Sequence, residues 1–314
     1  MTCMKLTRTH KNFCVKRHRH SSSSRLQSAM EYLMTYGWAI LIIAIVLVAL
    51  FSLGVFNSAN FAPKAPPGAC QVFRPDGPGT TFDLNLEGEC NGELPQYVVQ
   101  LNGIDSNIEV PYSAAFNPDS SESISVAAWF KVSRVSSIYP PIVKFVDSPF
   151  AASGYTLEID NGALTFWIGN SQGWTASPNY AVSLNQYYFA VGTYDGAYMK
   201  LYVNGAQIGT GVAYAGGIAS VNTITPLGIG IDIPEGRYFP GQIADVQLYN
   251  KSLSQNDIQT LYQEGIGGAP IDLQNLVGWW PLNGNANDYS GNQNNGAATN
   301  AIYTTSWTNG YTAP

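Results

Sequence analysis

The sequence predicts an all-β, antiparallel sandwich preceded by one apolar N-terminal helix. Three observations carry this. Asp, Glu, Lys and Arg make up only 11 % of the 314 residues, while Gly (31) and Tyr (19) are abundant; soluble domains ordinarily carry roughly 25 % charge. Short stretches of period-two alternation are separated by Asn-Gly and Asp-Gly pairs. No charged residue lies between Glu31 and Lys64. Low charge with many aromatics argues against a disordered chain. A helical bundle would expose more Lys and Glu.

The N-terminus comes first. Residues 1–26 hold Lys5, Arg8, Lys11, Lys16, Arg17, Arg19 and Arg25, all three histidines and no acid, so the rest of the chain is strongly acidic. Such a head suits nucleic acid or the cytoplasmic face of a membrane. The next segment decides between them. Residues 38–56 are almost wholly apolar, long enough to cross a ~30 Å hydrocarbon core as a helix. A buried core helix would keep a polar face, and this segment has none. The basic flank places the N-terminus in the cytoplasm and the remainder outside the cell, as a single-pass protein. The implied organisation is a leader over 1–26, an apolar helix over 27–57, a Pro-rich linker over 58–69, a Cys-bounded hairpin lobe over 70–96, and a sandwich over 97–314.

Cys70 and Cys90 are the only cysteines beyond the leader. Outside the cell they form a disulfide, or stand as two free thiols. Beyond the leader there is no histidine, which excludes Ser-His-Asp and Cys-His catalysis and a His-bearing zinc site. Ile124–Val132 alternates as a half-buried strand. Asn161-Gly162 sits between two strands over 154–168, a type I′ hairpin signal. The same device recurs at Asp195-Gly196 and Asn204-Gly205, and a further strand spans Gln242 to Tyr249. Ser254 with Asp257 makes a capping box for one short helix whose buried face is Ile258, Leu261 and Tyr262.

Two resemblances sharpen this. Ser24-Arg-Leu-Gln-Ser-Ala-Met-Glu-Tyr-Leu33 resembles the class III signal peptides of archaeal type IV pilin-like proteins. That implies cleavage by a prepilin-type peptidase between Leu26 and Gln27. A small residue usually precedes the Gln, and Leu26 departs from that. The resemblance pairs Glu31 with the N-terminal amine of a neighbouring subunit and so implies self-assembly through the helix. Read from the residue alone, Glu31 is a first-turn carboxylate favoured by the helix dipole. Val98–Val110, Ile124–Val132, Tyr194–Gly205 and Gly241–Ser254 together resemble laminin G-like, concanavalin A-like lectin/glucanase domains, which implies a jelly-roll fold over roughly 95–265. The stretch Leu276–Gly296 resembles the start of such a domain, yet it comes last. As the stub of a second domain it would leave Trp279, Trp280 and Trp307 without a core, at ~1.5–3 kcal/mol per large side chain. Residues 276–314 are therefore expected to fold back as a permuted first strand.

Candidate sites follow. Asp288 and Asn292, with Asp245 and Asp105 as partners if the tail folds back, offer hard oxygen ligands for Ca²⁺, and laminin G-like relatives often bind calcium at this end. The competing reading is an Asn-rich turn that caps its own backbone. Trp174, Tyr139 and Tyr238 stand in polar or Pro-bearing loops, as sugar-stacking residues or as covers for a sandwich edge. Retaining glucanases of this fold carry E-x-D-x-E on one strand. Here Glu158-Ile-Asp160 is followed by Gly162 and Ala163, so the second Glu is missing and the chain reads as no enzyme. Net acidity outside the leader and the lack of a basic aromatic patch exclude nucleic acid. The expected role is a membrane-anchored or pilus-like surface protein that recognises carbohydrate or a surface glycoprotein. The alternative is a structural filament or envelope subunit with no ligand.

Overall fold

The computed structural model describes residues 39–48, 95–118, 123–134, 139–147, 152–221, 224–309, 311, 312 and 314. Leu26, Gln27 and Glu31, the linker over 58–69, and Cys70 and Cys90 lie outside the described residues. The chain divides into two units, residues 1–57 and 58–314. In the first, residues 39–48 form helix α1, whose Ile, Leu and Val side chains are exposed. Among the described residues no helix is long and apolar enough to cross a membrane.

Among the described residues the second unit holds eighteen strands. They are β1 (Val98–Asn102), β2 (Asn107–Val110), β3 (Ser123–Val132), β4 (Pro141–Phe145), β5 (Ser153–Asp160), β6 (Ala163–Asn170), β7 (Trp174–Ala176), β8 (Tyr180–Ala181), β9 (Tyr187–Asp195), β10 (Tyr198–Val203), β11 (Ala206–Ala213), β12 (Leu227–Ile229), β13 (Ile231–Asp232), β14 (Arg237–Tyr238), β15 (Pro240–Tyr249), β16 (Leu276–Trp280), β17 (Ala297–Thr299) and β18 (Ile302–Thr304), with helix α2 (Gln255–Glu264) between β15 and β16. One sheet runs β11-β10-β9-β3-β15-β1-β18, with β16 also on β15. The other runs β17-β2-β12-β4-β5-β6-β7, with β8 on β6; β13 and β14 form a separate ribbon. All described pairings are antiparallel, and the two sheets pack as a sandwich.

Local chemistry explains the turns. Asn161 (φ 47°) and Gly162 (φ 83°) are both left-handed, as a type I′ hairpin needs, and so are Asn204 (φ 50°) and Gly205 (φ 76°). Asp195-Gly196 differs from the expected device. Asp195 stays in β9, and its carboxylate accepts the N–H groups of Ala197 and Tyr198, making an Asx-type turn. Helix α2 starts with the expected capping box, Ser254 and Asp257 bonding reciprocally. Its Ile258 and Leu261 are buried, and Tyr262 stacks on Trp129 at 5.8 Å.

Alternation sorts the core in two. Val126, Phe130, Leu157, Phe166, Leu201 and Trp280 fill the space between the sheets. A Cβ at Gly192 would run into the Phe166 ring, so glycine there lets the sheets approach. The outer face of the first sheet carries a second apolar cluster that includes Trp129, Phe189, Leu261, Trp279 and Trp307. Adjacent tryptophans of β16 thus serve opposite faces. Strands β1 and β16 share one edge of β15, opposite residues 240–243 and 246–249 respectively. Further on, β17 pairs with β2 and β18 with β1, so the tail lines one side of the sandwich in both sheets.

Deleting residues 270–314 removes β16, β17, β18 and three buried tryptophans. The truncated protein is expected to lose cooperative thermal unfolding of the β-domain. Trp280→Ala alone should cost about 3–5 kcal/mol in denaturant melts.

Candidate functional site

The second sheet treats its outer face differently. On β5, Tyr155, Leu157 and Ile159 enter the core, so Thr156, Glu158 and Asp160 fall on the outer face. On β6, Leu164, Phe166 and Ile168 enter the core and Trp167 falls outward; on β4, Val143 and Phe145 go in and Lys144 out. Register then aligns Lys144 with Thr156, Thr156 with Trp167, and Gly169 with Trp174. The β13–β14 ribbon adds Asp232 and Arg237. The result is a cavity of ≈ 210 Å³ lined by Tyr139, Lys144, Val146, Thr156, Glu158, Asp160, Trp167, Trp174, Glu235 and Arg237.

Its charges are arranged in pairs. Lys144 Nζ donates to Asp232 Oδ2 at 2.8 Å and lies 3.9 Å from Glu158 Oε2. Arg237 pairs with Glu235, stands 3.8 Å from Asp232, and lies over the Tyr139 ring at 5.1 Å. Thr156 Oγ1 donates to Glu158 Oε2 at 3.2 Å. Burial pushes the Glu158 carboxyl up to about 7, against the lowering pull of Lys144 and the Thr156 hydrogen bond. Trp167 Nε1 is buried and has no hydrogen-bond partner among the described residues.

Trp174 and Tyr139 therefore meet in one cavity. Trp174 opens strand β7 instead of standing in a loop. Tyr238 lies on β14 opposite Ile231 and does not line the cavity. Sequence reasoning missed Lys144, Trp167, Glu235 and Arg237 and treated Glu158 and Asp160 only as a broken catalytic motif. One signal was available: Trp167 occupies a polar-face position between Phe166 and Ile168. The pairing of Lys144 with Asp232 has no local signature.

The calcium candidates are engaged elsewhere. Asp288 accepts the backbone N–H groups of Trp279 and Ser290 on Oδ1 and of Asn294 on Oδ2. Asn292 Nδ2 donates to the carbonyls of Leu276 and Val277. Asp245 is buried, accepting from Trp279 Nε1 at 2.7 Å and from Gln247 Nε2. Asp105 accepts from the amides of Asn102 and Asn300. The carboxylates of Asp288, Asp245 and Asp105 thus already accept N–H groups, while Asn292 is held through its Nδ2. Among the described residues no group of three His, Cys, Asp or Glu could hold a metal.

Residues 102–259, half of the chain, match the laminin G-like family of the concanavalin A-like lectin/glucanases superfamily, and the chain belongs to that family. Curated proteins give no match. Among solved structures, a protein from Bacteroides ovatus described as carbohydrate binding is similar at 16 % identity and TM-score 0.51, covering 67 % of this chain and 60 % of its own. The heptameric SAP-like pentraxin of Limulus polyphemus is similar at 13 % identity and TM-score 0.45, covering 67 % and 94 %. The receptor binding domain of a botulinum neurotoxin mosaic serotype C/D is similar at 20 % and 0.40, covering 54 % and 46 %. The chain thus spans 60 % of the Bacteroides protein and less than half of the toxin domain.

Two buried carboxyls set a pH dependence. Burial raises Asp245 from 3.8 to about 7, as it raises Glu158 from 4.5 to about 7. Below about pH 4 both are protonated, folded or unfolded. Between there and pH 7 the folded chain holds protons that the unfolded chain has released, so their stabilisation is lost as pH rises through 7. Thermal melts of the β-domain are expected to show a midpoint several degrees lower at pH 8 than at pH 5. Asp245→Asn should flatten the difference.

Proposed function

We propose that the chain is a surface-displayed carbohydrate-recognition protein that does not hydrolyse its ligand. One observation carries this reading: Tyr139, Trp167 and Trp174 meet the polar groups Lys144, Thr156, Glu158 and Asp160 in a single cavity. A sugar ring offers an apolar face for aromatic stacking and a rim of hydroxyls for hydrogen bonds. The cavity is smaller than the roughly 300–1,000 Å³ of drug-sized ligand pockets, which suits one ring or the end of a chain. Membership in a lectin/glucanase family agrees with this reading, as does the fold shared with the Bacteroides protein. Hydrolysis with retention needs two facing carboxylates at a fixed spacing. The position after Asp160 where the second Glu belongs falls in the Asn161-Gly162 turn and at Ala163.

The display part of the proposal rests on the N-terminal sequence. The apolar segment 38–56 anchors the protein in the membrane or assembles it into a filament after a prepilin-type peptidase cuts between Leu26 and Gln27. The leader then stays in the cytoplasm and the sandwich faces outward, where adhesion to carbohydrate or surface glycoprotein takes place.

Two measurements test these parts. On a glycan array, the detergent-solubilised full chain is expected to bind a sugar class equally with and without millimolar Ca²⁺. Trp174→Ala should weaken binding about two- to tenfold, since stacking contributes roughly 0.5–1.5 kcal/mol beyond area burial. Binding to no glycan would favour a structural envelope or filament subunit. Mass spectrometry of the protein from its native membrane should find an N-terminus at Gln27; an intact leader would remove the peptidase from the proposal.

A further inference from the structure

Resting on the carbohydrate-binding reading, we propose that the cavity on the second sheet selects a sugar residue bearing a free, protonated amine over its N-acetylated, neutral and anionic counterparts. The reason is how the charges pair. Both cations that line the cavity are already neutralised: Lys144 by Asp232 and Arg237 by Glu235. Glu158 and Asp160 remain, two residues apart on the outer face of β5. Glu158 is 6 % exposed, and its recorded contacts, Thr156 and Lys144, both fall on Oε2; Oε1 takes no hydrogen bond from the described residues. Asp160 accepts only the Asn161 amide, on Oδ1. Two carboxylate oxygens are thus open toward a ligand, and no free cation among the described lining residues faces them.

Three further features fit an amine-bearing ring. The π faces of Trp167 and Trp174 favour a cation as well as a sugar's C–H face, while the Tyr139 ring already carries Arg237. The partnerless Trp167 Nε1 is a donor for a ring or hydroxyl oxygen. An anionic sugar would meet Glu158, Asp160 and Glu235 while the two cations are occupied, which is a repulsive arrangement. The groups facing Glu158 are Lys144 on β4, Asp232 on β13 and Arg237 on β14, with Thr156 and Asp160 on its own strand. Their sum is not positive, so a ligand ammonium completes the balance.

The test is isothermal titration of the full chain near neutral pH with short glucosamine oligosaccharides, their N-acetylated equivalents, neutral glucose oligosaccharides and a uronic-acid oligosaccharide, each of equal length. The amine series is expected to bind about tenfold tighter than the N-acetylated series, the difference between a charged and a neutral hydrogen bond. The uronic acid should bind weakest. Asp160→Asn, at the exposed end of the strand, should cut the amine-to-acetyl ratio several-fold, and adding Glu158→Gln should bring it near one. Equal affinity for the two series, or tighter binding of the uronic acid, overturns the selectivity and leaves the carbohydrate reading in place. If no sugar of any class binds, both fall. An amine preference that survives in the Glu158→Gln, Asp160→Asn double variant reflects the general acidity of the domain and overturns the assignment to this cavity.

Discussion

Strand β15 is the constraint on which the sandwich depends. All ten of its residues are buried. Strand β3 occupies one of its edges, while β1 and β16, drawn from opposite ends of the domain, share the other. The division falls at Asp245, a left-handed residue (φ 48°) where the register of β15 against β3 shifts. A non-glycine residue in that conformation costs roughly 1–3 kcal/mol, and a buried carboxyl adds a desolvation cost. Both are offset by one network. Trp279 Nε1 and Gln247 Nε2 bond the carboxyl, and Tyr249 Oη donates to Gln247 Oε1. The residue that bends the central strand is also the one that fastens the tail.

The two outer faces of the sandwich follow from what happens at that strand. Once β16 is fixed, the chain beyond it returns across the outer face of the first sheet. Lys131 Nζ holds the carbonyls of Trp307 and Asn309, and Trp307 Nε1 donates to the carbonyl of Pro95. Helix α2 covers a neighbouring part of the same face through Tyr262 on Trp129 and Phe189. That face is committed to packing. The second sheet has no equivalent apolar cluster among the described residues, so its outward aromatics line a cavity instead.

Within the cavity, electrostatics and packing are inseparable. Glu158 sits between a cation and a low-dielectric wall, and burial outweighs the cation in setting its proton affinity. Such a group is poised to respond to whatever charge enters. The same burial at Asp245 accompanies the hydrogen bonds that fasten the tail. Two carboxyls pushed up to about 7 thus have different surroundings: Glu158 lines the cavity, and Asp245 bonds the tail through Trp279.

Local pattern determined much of this protein. Period-two alternation and the left-handed tolerance of Asn161-Gly162 and Asn204-Gly205 specify the hairpins, because turn geometry and pleat act over a few residues. The capping box at Ser254 and Asp257 specifies the start of α2 for the same reason. Sequence also marked Trp174 and Tyr139 as aromatics in polar surroundings, but it could not say that they share a cavity. That needed the register of β4 through β7 and the ribbon that brings Asp232 and Arg237 to Lys144, contacts spanning 88 residues or more. The expected calcium ligands show the converse. Asp288 and Asn292 have the right oxygens, but only the folded tail reveals that backbone N–H groups bond the Asp288 carboxylate and that the Asn292 amide donates to backbone carbonyls. Short-range stereochemistry is written in neighbouring residues. Which partner a charged side chain meets is decided by chain segments that approach only when the core closes.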